Sequence, residues 1–163
     1  MSGFGYFASR GIVLSFETDR YNEYAELLNQ CDKEIDDLYH SYALHFNLSD
    51  AALWIFYALY DSKNSVTQAD ICNCWFFSRQ TINTALKGLE HQGFIELVPI
   101  LGNRKSKQIV FTGSGKDMAE KIVEPLKRAE NQVFAALSDE ENKLFVELTQ
   151  KRCSLLREFL VTE

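Results

Sequence analysis

Between Thr67 and Lys107 lies a set of side chains able to read nucleic-acid bases. Arg79, Gln80, Asn83, Thr84 and Lys87 recur at steps that put them on the outer side of a helix whose inner side is Ile82, Ala85, Leu86 and Leu89. An arginine fork matches the two acceptors of guanine, and a Gln or Asn amide matches the donor–acceptor pair of adenine. Each good pair is worth roughly 1–3 kcal/mol of discrimination. Thr67, Gln68, Ser78 and Thr81 stand at helix starts, where hydroxyls cap free amides or bond phosphates. Asn103, Arg104, Lys105 and Lys107 form a basic cluster suited to the sugar–phosphate backbone or a minor groove. The plainer alternative for the first set is an ordinary solvated helix face, and for the basic cluster a merely soluble loop.

The elements that must position these groups can be read from punctuation and periodicity. Thr67 followed by Asp70 has the capping-box spacing, and Ser78 offers a second N-cap, so two short helices lie close together. Gly93 supplies a left-handed stop. Phe94–Val98 and Gln108–Thr112 read as two strands joined by the polar loop Leu101–Lys107, which projects as a wing. Upstream, Tyr21, Tyr24, Leu28, Cys31, Ile35, Leu38, Tyr42 and His45 mark one face of a helix from about 19 to 46. A helix that long predicts burial of part of its stripe against another chain. Ser49 caps a second helix, about 50–61, which is apolar nearly all round as a central helix should be. A helix over about 115–137 contains Pro125 and is expected to bend there, and Ser138–Glu141 has the capping-box spacing that opens the last one. The expected fold is mainly α with a small β-hairpin wing: a winged helix-turn-helix core over 47–114, flanked by helical dimerisation regions at 19–46 and 115–163. Residues 1–18 contain Phe4, Tyr6, Phe7, Ile12 and Phe16 and read as an apolar N-terminal arm that packs on something.

Charge segregates along the same lines. The net charge is −6, yet residues 63–116 hold 7 basic and 3 acidic groups, against 3 and 10 before them and 7 and 10 after. A basic face on an acidic body suits a protein that presents one surface to phosphates. The longest apolar run, Ala51–Tyr60, is about half of what a bilayer-spanning helix needs, and no signal-peptide pattern opens the chain, so a cytoplasmic protein without membrane contact is expected. Cysteines 31, 72, 74 and 153 are too few and too irregular for a disulfide framework, and most are expected to be small core residues, Cys72 foremost. Cys-x-Cys without a second pair is a weak metal signal, and His40, His45 and His91 form no motif, so neither a metal nor a cofactor is expected. An enzyme is not expected either, because no nucleophile–base arrangement or phosphate loop is present.

Val66 to Leu97 reads VTQADICNCWFFSRQTINTALKGLEHQGFIEL, and Asn103-Arg104-Lys105 is followed by Phe111-Thr112 and Gly115. These stretches resemble the MarR-type winged helix-turn-helix transcriptional regulators, over about residues 19–161. Departures are Asn103 and Lys105 in place of an acid–base pair that braces the wing, Phe76 in place of a small turn residue, and Gly88 inside the recognition helix, where it costs about 1 kcal/mol relative to alanine and invites fraying or bending. The resemblance implies a homodimeric regulator of double-stranded DNA, a repressor at a palindromic promoter site, released by a small effector. It also implies an aromatic effector site around Tyr39, Tyr42, Phe46, Trp54 and Tyr57, for which ordinary core packing is the alternative. Two rival functions remain: a thiol-based redox regulator of the same fold using Cys31, and a winged-helix protein-interaction module that does not bind DNA.

Overall fold

The computed structural model describes residues 20–62 and 65–161, with side chains described except at 103–105 and 161; the N-terminal arm therefore lies outside the described residues. The chain divides into two compact units, Met1–Asp50 and Ala51–Glu163.

In the first unit, α1 (Arg20–His45) is the long helix expected from the spacing. It stops as the sequence suggests: the amides of Phe46, Asn47 and Leu48 turn back onto the carbonyls of Ala43 and Leu44, and Asn47 takes a left-handed φ of 56°. Its apolar stripe is mostly open in the single chain, with Tyr21 at 77% and Leu38 at 63% exposure.

The second unit is built on α2 (Asp50–Tyr60), which buries Leu53, Ile55 and Phe56 completely. The Phe56 ring stacks on Phe111 at 5.4 Å and meets Phe94 edge-on at 5.9 Å, tying the helix to both ends of the wing. Then come β1 (Val66–Thr67), α3 (Gln68–Trp75), α4 (Arg79–His91), β2 (Ile95–Ile100), β3 (Asn103–Phe111), α5 (Gly113–Ala135) and α6 (Asp139–Val161). Pro125 lies inside α5, which continues through it as one helix. Ser138 and Glu141 exchange backbone-to-side-chain bonds of 2.8 and 3.2 Å at the start of α6, as their spacing predicts, and those bonds hold the Glu141 carboxyl below its ordinary range.

The wing differs from expectation in two ways. It has a third strand: β1 pairs antiparallel with β3, giving the order β1-β3-β2. Two residues are too short to announce a strand in sequence, and β1 exists only because β3 offers it an edge. Moreover, the stretch read as a loop is largely strand, and the turn shrinks to Leu101-Gly102, with Gly102 at a φ of 81°. Polar and basic residues can extend a ladder whose faces are solvated. The ladder is irregular there, because Pro99 pairs with Lys107 and the next residue, Ile100, with Asn103. Pro99 has no amide to donate, which suits a break in pairing at this point.

A tight joint connects wing and α5. Thr112 donates its hydroxyl to the Gly93 carbonyl at 2.6 Å and accepts the Gly115 amide at 3.0 Å, while Ser114 reaches the same carbonyl at 2.9 Å. Gly115 is buried, and a Cβ there would stand 1.8 Å from the Phe94 carbonyl oxygen, so only glycine fits.

The expectation that most cysteines are core residues does not hold: Cys31 and Cys72 are half-buried, and Cys74 and Cys153 are exposed. Larger branched side chains, Ile71 foremost, take the interior positions of these elements. Among the described residues no helix is long and apolar enough to cross a membrane, and no cluster of three or more metal-ligating side chains occurs.

Candidate nucleic-acid interface

Helix α4 is positioned by its inner face. Ile82, Leu86 and Leu89 are each 3% exposed or less and Ala85 is half-buried, which fixes the rotation of the helix and turns Arg79, Gln80, Asn83, Thr84 and Lys87 outward. Gly88 causes no break, because the helix runs on to His91 and the Gln92 amide reaches the Gly88 carbonyl at 3.0 Å.

The hydroxyls at the two helix starts are occupied in holding the turn. Thr67 accepts the Asp70 amide, and the Asp70 carboxylate accepts both the Thr67 amide at 2.8 Å and its hydroxyl at 2.7 Å. Ser78 accepts the Thr81 amide at 3.0 Å, and the Ser78 and Thr81 hydroxyls bond each other at 2.7 Å. Gln68 donates its side-chain amide to the Arg79 carbonyl at 2.8 Å, a clasp between α3 and α4 that the sequence did not announce. Thr84 donates its hydroxyl to Gln80 of its own helix. Among the described residues, the side chains of Arg79, Gln80, Asn83 and Lys87 have no internal hydrogen bond or ion pair.

A cleft of about 440 Å³ opens beside this row, edged by Thr67, Gln68, Arg79 and Asn83 on the helices and by Ser106 and Lys107 on the wing. Arg79 and Lys107 therefore place cationic groups on both sides of one concave surface. The side chains of Asn103, Arg104 and Lys105 lie outside the described ones; their backbones are strand.

The second group of candidate residues falls in both units. In the first, Tyr39 is half-buried, and Tyr42 meets Phe46 edge-on at 5.3 Å, with burial raising the Tyr42 hydroxyl above its ordinary range. In the second, Trp54 and Tyr57 join Trp75, which sequence reading overlooked. Trp54 stacks on Trp75 at 4.4 Å, and Tyr57 meets Trp75 edge-on at 5.6 Å. The missed signal was Trp75 as the last residue of a helix that starts from a recognisable cap. Burial, with the Glu130 carboxylate accepting its hydrogen bond at 2.8 Å and adding its charge, pushes the Tyr57 hydroxyl up to about 12. Lys127 pairs with Asp61 and lies over the Tyr57 ring at 5.5 Å. Tyr57, Trp75 and Lys127 line a groove of about 390 Å³, and the buried Trp75 Nε1 has no hydrogen-bond partner.

The family model that matches this chain is that of the MarR family, over residues 46–106, which includes the whole helix-turn-helix and most of the wing. Over that segment the chain is similar to the MarR family. The chain is similar to the HTH-type transcriptional regulator PecS of Dickeya dadantii, 27% identical over 47% of this chain and 46% of the relative. It is also similar to the uncharacterized HTH-type transcriptional regulator YwhA of Bacillus subtilis, 32% identical over 53% of this chain and 63% of the relative. These alignments thus span about half to three-fifths of the relatives' own length. Among solved structures, MepR of Staphylococcus aureus in its DNA-binding conformation superposes with a TM-score of 0.71 at 22% identity, covering 82% of this chain and 98% of MepR, a likeness of fold. The matched segment has the winged helix architecture expected from its caps and periodicity, and both relatives it matches carry the name of transcriptional regulators.

Proposed function

We propose that this chain is a homodimeric DNA-binding regulator of transcription, a repressor that occupies a palindromic promoter site and is released by a small aromatic ligand. The observation that carries the DNA reading is the outward row on α4: Arg79, Gln80, Asn83 and Lys87 stand exposed and uncommitted beside a cleft whose far side carries Lys107. Their fixed helix rotation makes them suited to base edges, while the capping hydroxyls hold the turn and Lys107 meets phosphate. MepR has been solved as a DNA complex, and the fold likeness to that structure, a TM-score of 0.67, agrees with this reading.

The dimer is supported by exposed apolar faces on the terminal helices. Leu144, Phe145, Leu148, Phe159 and Leu160 on α6 are all more than half exposed in the single chain, as are Tyr21, Tyr24 and Leu38 on α1. Apolar surface on that scale marks a contact that a second copy would cover, and paired recognition helices would then meet successive major grooves about one turn apart. The ligand reading rests on the aromatic groove at Trp54, Tyr57 and Trp75; an effector would act by favouring the dimer conformation whose recognition helices are wrongly spaced.

Fluorescence anisotropy with a duplex selected by the wild-type protein from a random pool tests the reading across a salt series. Arg79→Ala should change base preference, whereas Lys107→Ala should weaken all sequences alike and lower the salt slope by about one. Absence of a selected duplex at low salt, or affinity indifferent to salt, would leave the protein-interaction module standing in its place. Quenching of tryptophan emission by phenolic carboxylates, lost in Trp75→Leu, checks the ligand site.

A further inference from the structure

Outside α1, α5, α6 and the turn joining α5 to α6, the described large apolar side chains that stand exposed are Phe76, Val98 and Leu101. Phe76 is the aromatic one, 84% exposed, and it occupies the C-cap of α3 with a left-handed φ of 55°. Neither feature favours folding. A bulky residue at positive φ is strained, and an exposed phenyl ring keeps its apolar surface in water. Glycine would satisfy the same turn without strain. The backbone on either side is fixed independently: Trp75 stacks on Trp54, and Ser78 caps α4. The turn therefore holds the ring out in a defined place rather than leaving it to swing.

What lies in front of that place follows from chain reach. Phe76 is three residues from Arg79, so their Cα atoms are at most ~11 Å apart, comparable to the roughly 12 Å width of a major groove. A duplex that receives the first turn of α4 therefore has its groove wall within reach of the Phe76 ring. Ser78, Arg79 and Gln80 beside the ring are exposed and polar, and the adjoining Trp75 and Phe77 are half-buried, so Phe76 is the exposed apolar side chain of this turn. The group on a groove wall that favours an apolar contact is the thymine methyl.

We propose that Phe76 is a base-reading contact, packing its ring on a thymine methyl at the groove edge beside the first turn of α4. This rests on the DNA reading above, and its specific content is an apolar specificity element outside the recognition helix. The test uses the full chain and the selected duplex, with thymidines in each half-site replaced one at a time by deoxyuridine, which removes only the methyl. For the wild-type protein one such replacement should weaken binding by about fivefold. Phe76→Gly should lower affinity for the unmodified duplex by about tenfold, the order expected for withdrawing half a phenyl ring from contact, leave the salt slope unchanged and lose sensitivity to that deoxyuridine. Its thermal midpoint should be equal to or above that of the wild type, since the glycine relieves the left-handed strain, and this separates lost contact from lost folding. Equal affinity of Phe76→Gly and wild type, or no thymidine whose methyl matters to the wild type, overturns the proposal while leaving the DNA reading intact if Arg79→Ala still changes base preference. Failure of the wild-type protein to select any duplex overturns both.

Discussion

Helices α4 and α6 carry much the same kind of sequence signal and meet different fates. Each has apolar residues at three- and four-residue steps, and each begins at a side-chain cap, Ser78 for α4 and Ser138 with Glu141 for α6. On α4 the apolar row is covered, with Ile82 at 0%, Leu86 at 3% and Leu89 at 1% exposure. On α6 the corresponding row is open, with Leu144 at 54%, Leu148 at 53% and Phe159 at 67%. Periodicity reports which face of a helix is apolar and is silent about what covers it. The core accounts for α4 within one chain, whereas α6 has a face whose burial depends on something beyond it, and the proposal of a second copy starts there.

The largest effect is expected where the lobe carrying α4 is joined to α5. Gly115→Ala would drive a methyl into the Phe94 carbonyl oxygen, an approach of 1.8 Å that only a backbone shift can relieve. Because Thr112 and Ser114 pin that backbone to the Gly93 carbonyl, the shift would disturb the wing as well. A loss of about 3 kcal/mol or more is expected, read as a lower urea midpoint. A midpoint within error of the wild type would mean the joint is looser than its geometry, and the internal account of α4 would weaken with it.

The next effect addresses α6. If Leu148 remains half exposed in solution, Leu148→Glu should change stability by no more than about 0.5 kcal/mol. If a second copy covers it, the charge must be buried or the contact given up, at about 2–3 kcal/mol, or roughly 30- to 150-fold in the dimer dissociation constant. Sedimentation velocity over a concentration series separates the cases. A wild-type protein that stays monomeric at every concentration would leave the α6 face without the partner proposed for it.

The same contrast explains how much of this protein was legible in its sequence. Caps are local chemistry, so Thr67 with Asp70, Ser78, and Ser138 with Glu141 could be read from spacing and were found bonded as expected. The inner face of α4 and the burial of most of α2 followed from period and composition. What escaped was long-range. β1 is two residues long and exists through its pairing with β3, and the wing tip became strand because the antiparallel ladder carries polar residues without cost on solvated faces. Trp75 joined Trp54 and Tyr57 through tertiary packing that no spacing encodes. Cysteine, often buried in general, was here displaced from the interior by Ile71 and its neighbours. In the candidate site, outward residues on α4 were readable because their opposites were apolar. The clasp from Gln68 to the Arg79 carbonyl was not, because it joins groups on two helices whose separation only the folded turn defines.

Gly88 sharpens the comparison at a smaller scale. It is exposed in the interior of α4, and a Cβ placed there meets nothing within 4 Å. Gly88→Ala should therefore stabilise by about 1 kcal/mol through helix propensity alone, raising the thermal midpoint by a few degrees. The same substitution would lower DNA affinity only if the helix must bend at this glycine when it docks, so stability and anisotropy measured together distinguish a tolerated glycine from a used one.

The smallest effect lies at Tyr57, whose hydroxyl is raised from 10 to about 12 by burial and by its bond to Glu130. The raised folded value means that the protonated phenol is favoured in the folded state. Its contribution is thus fully present below pH 10 and is lost as pH rises from 10 towards 12. Tyr57→Phe removes that titration together with the bond, so the difference in thermal midpoint between the two proteins should shrink across this window, while other tyrosines and lysines affect both alike. A difference that stays constant from pH 9 to 12 would show that the hydroxyl is not held by Glu130. The bond joins α2 to α5, where the Lys127–Asp61 ion pair also links the end of α2 to that helix, so its loss would weaken but not remove the polar ties between them.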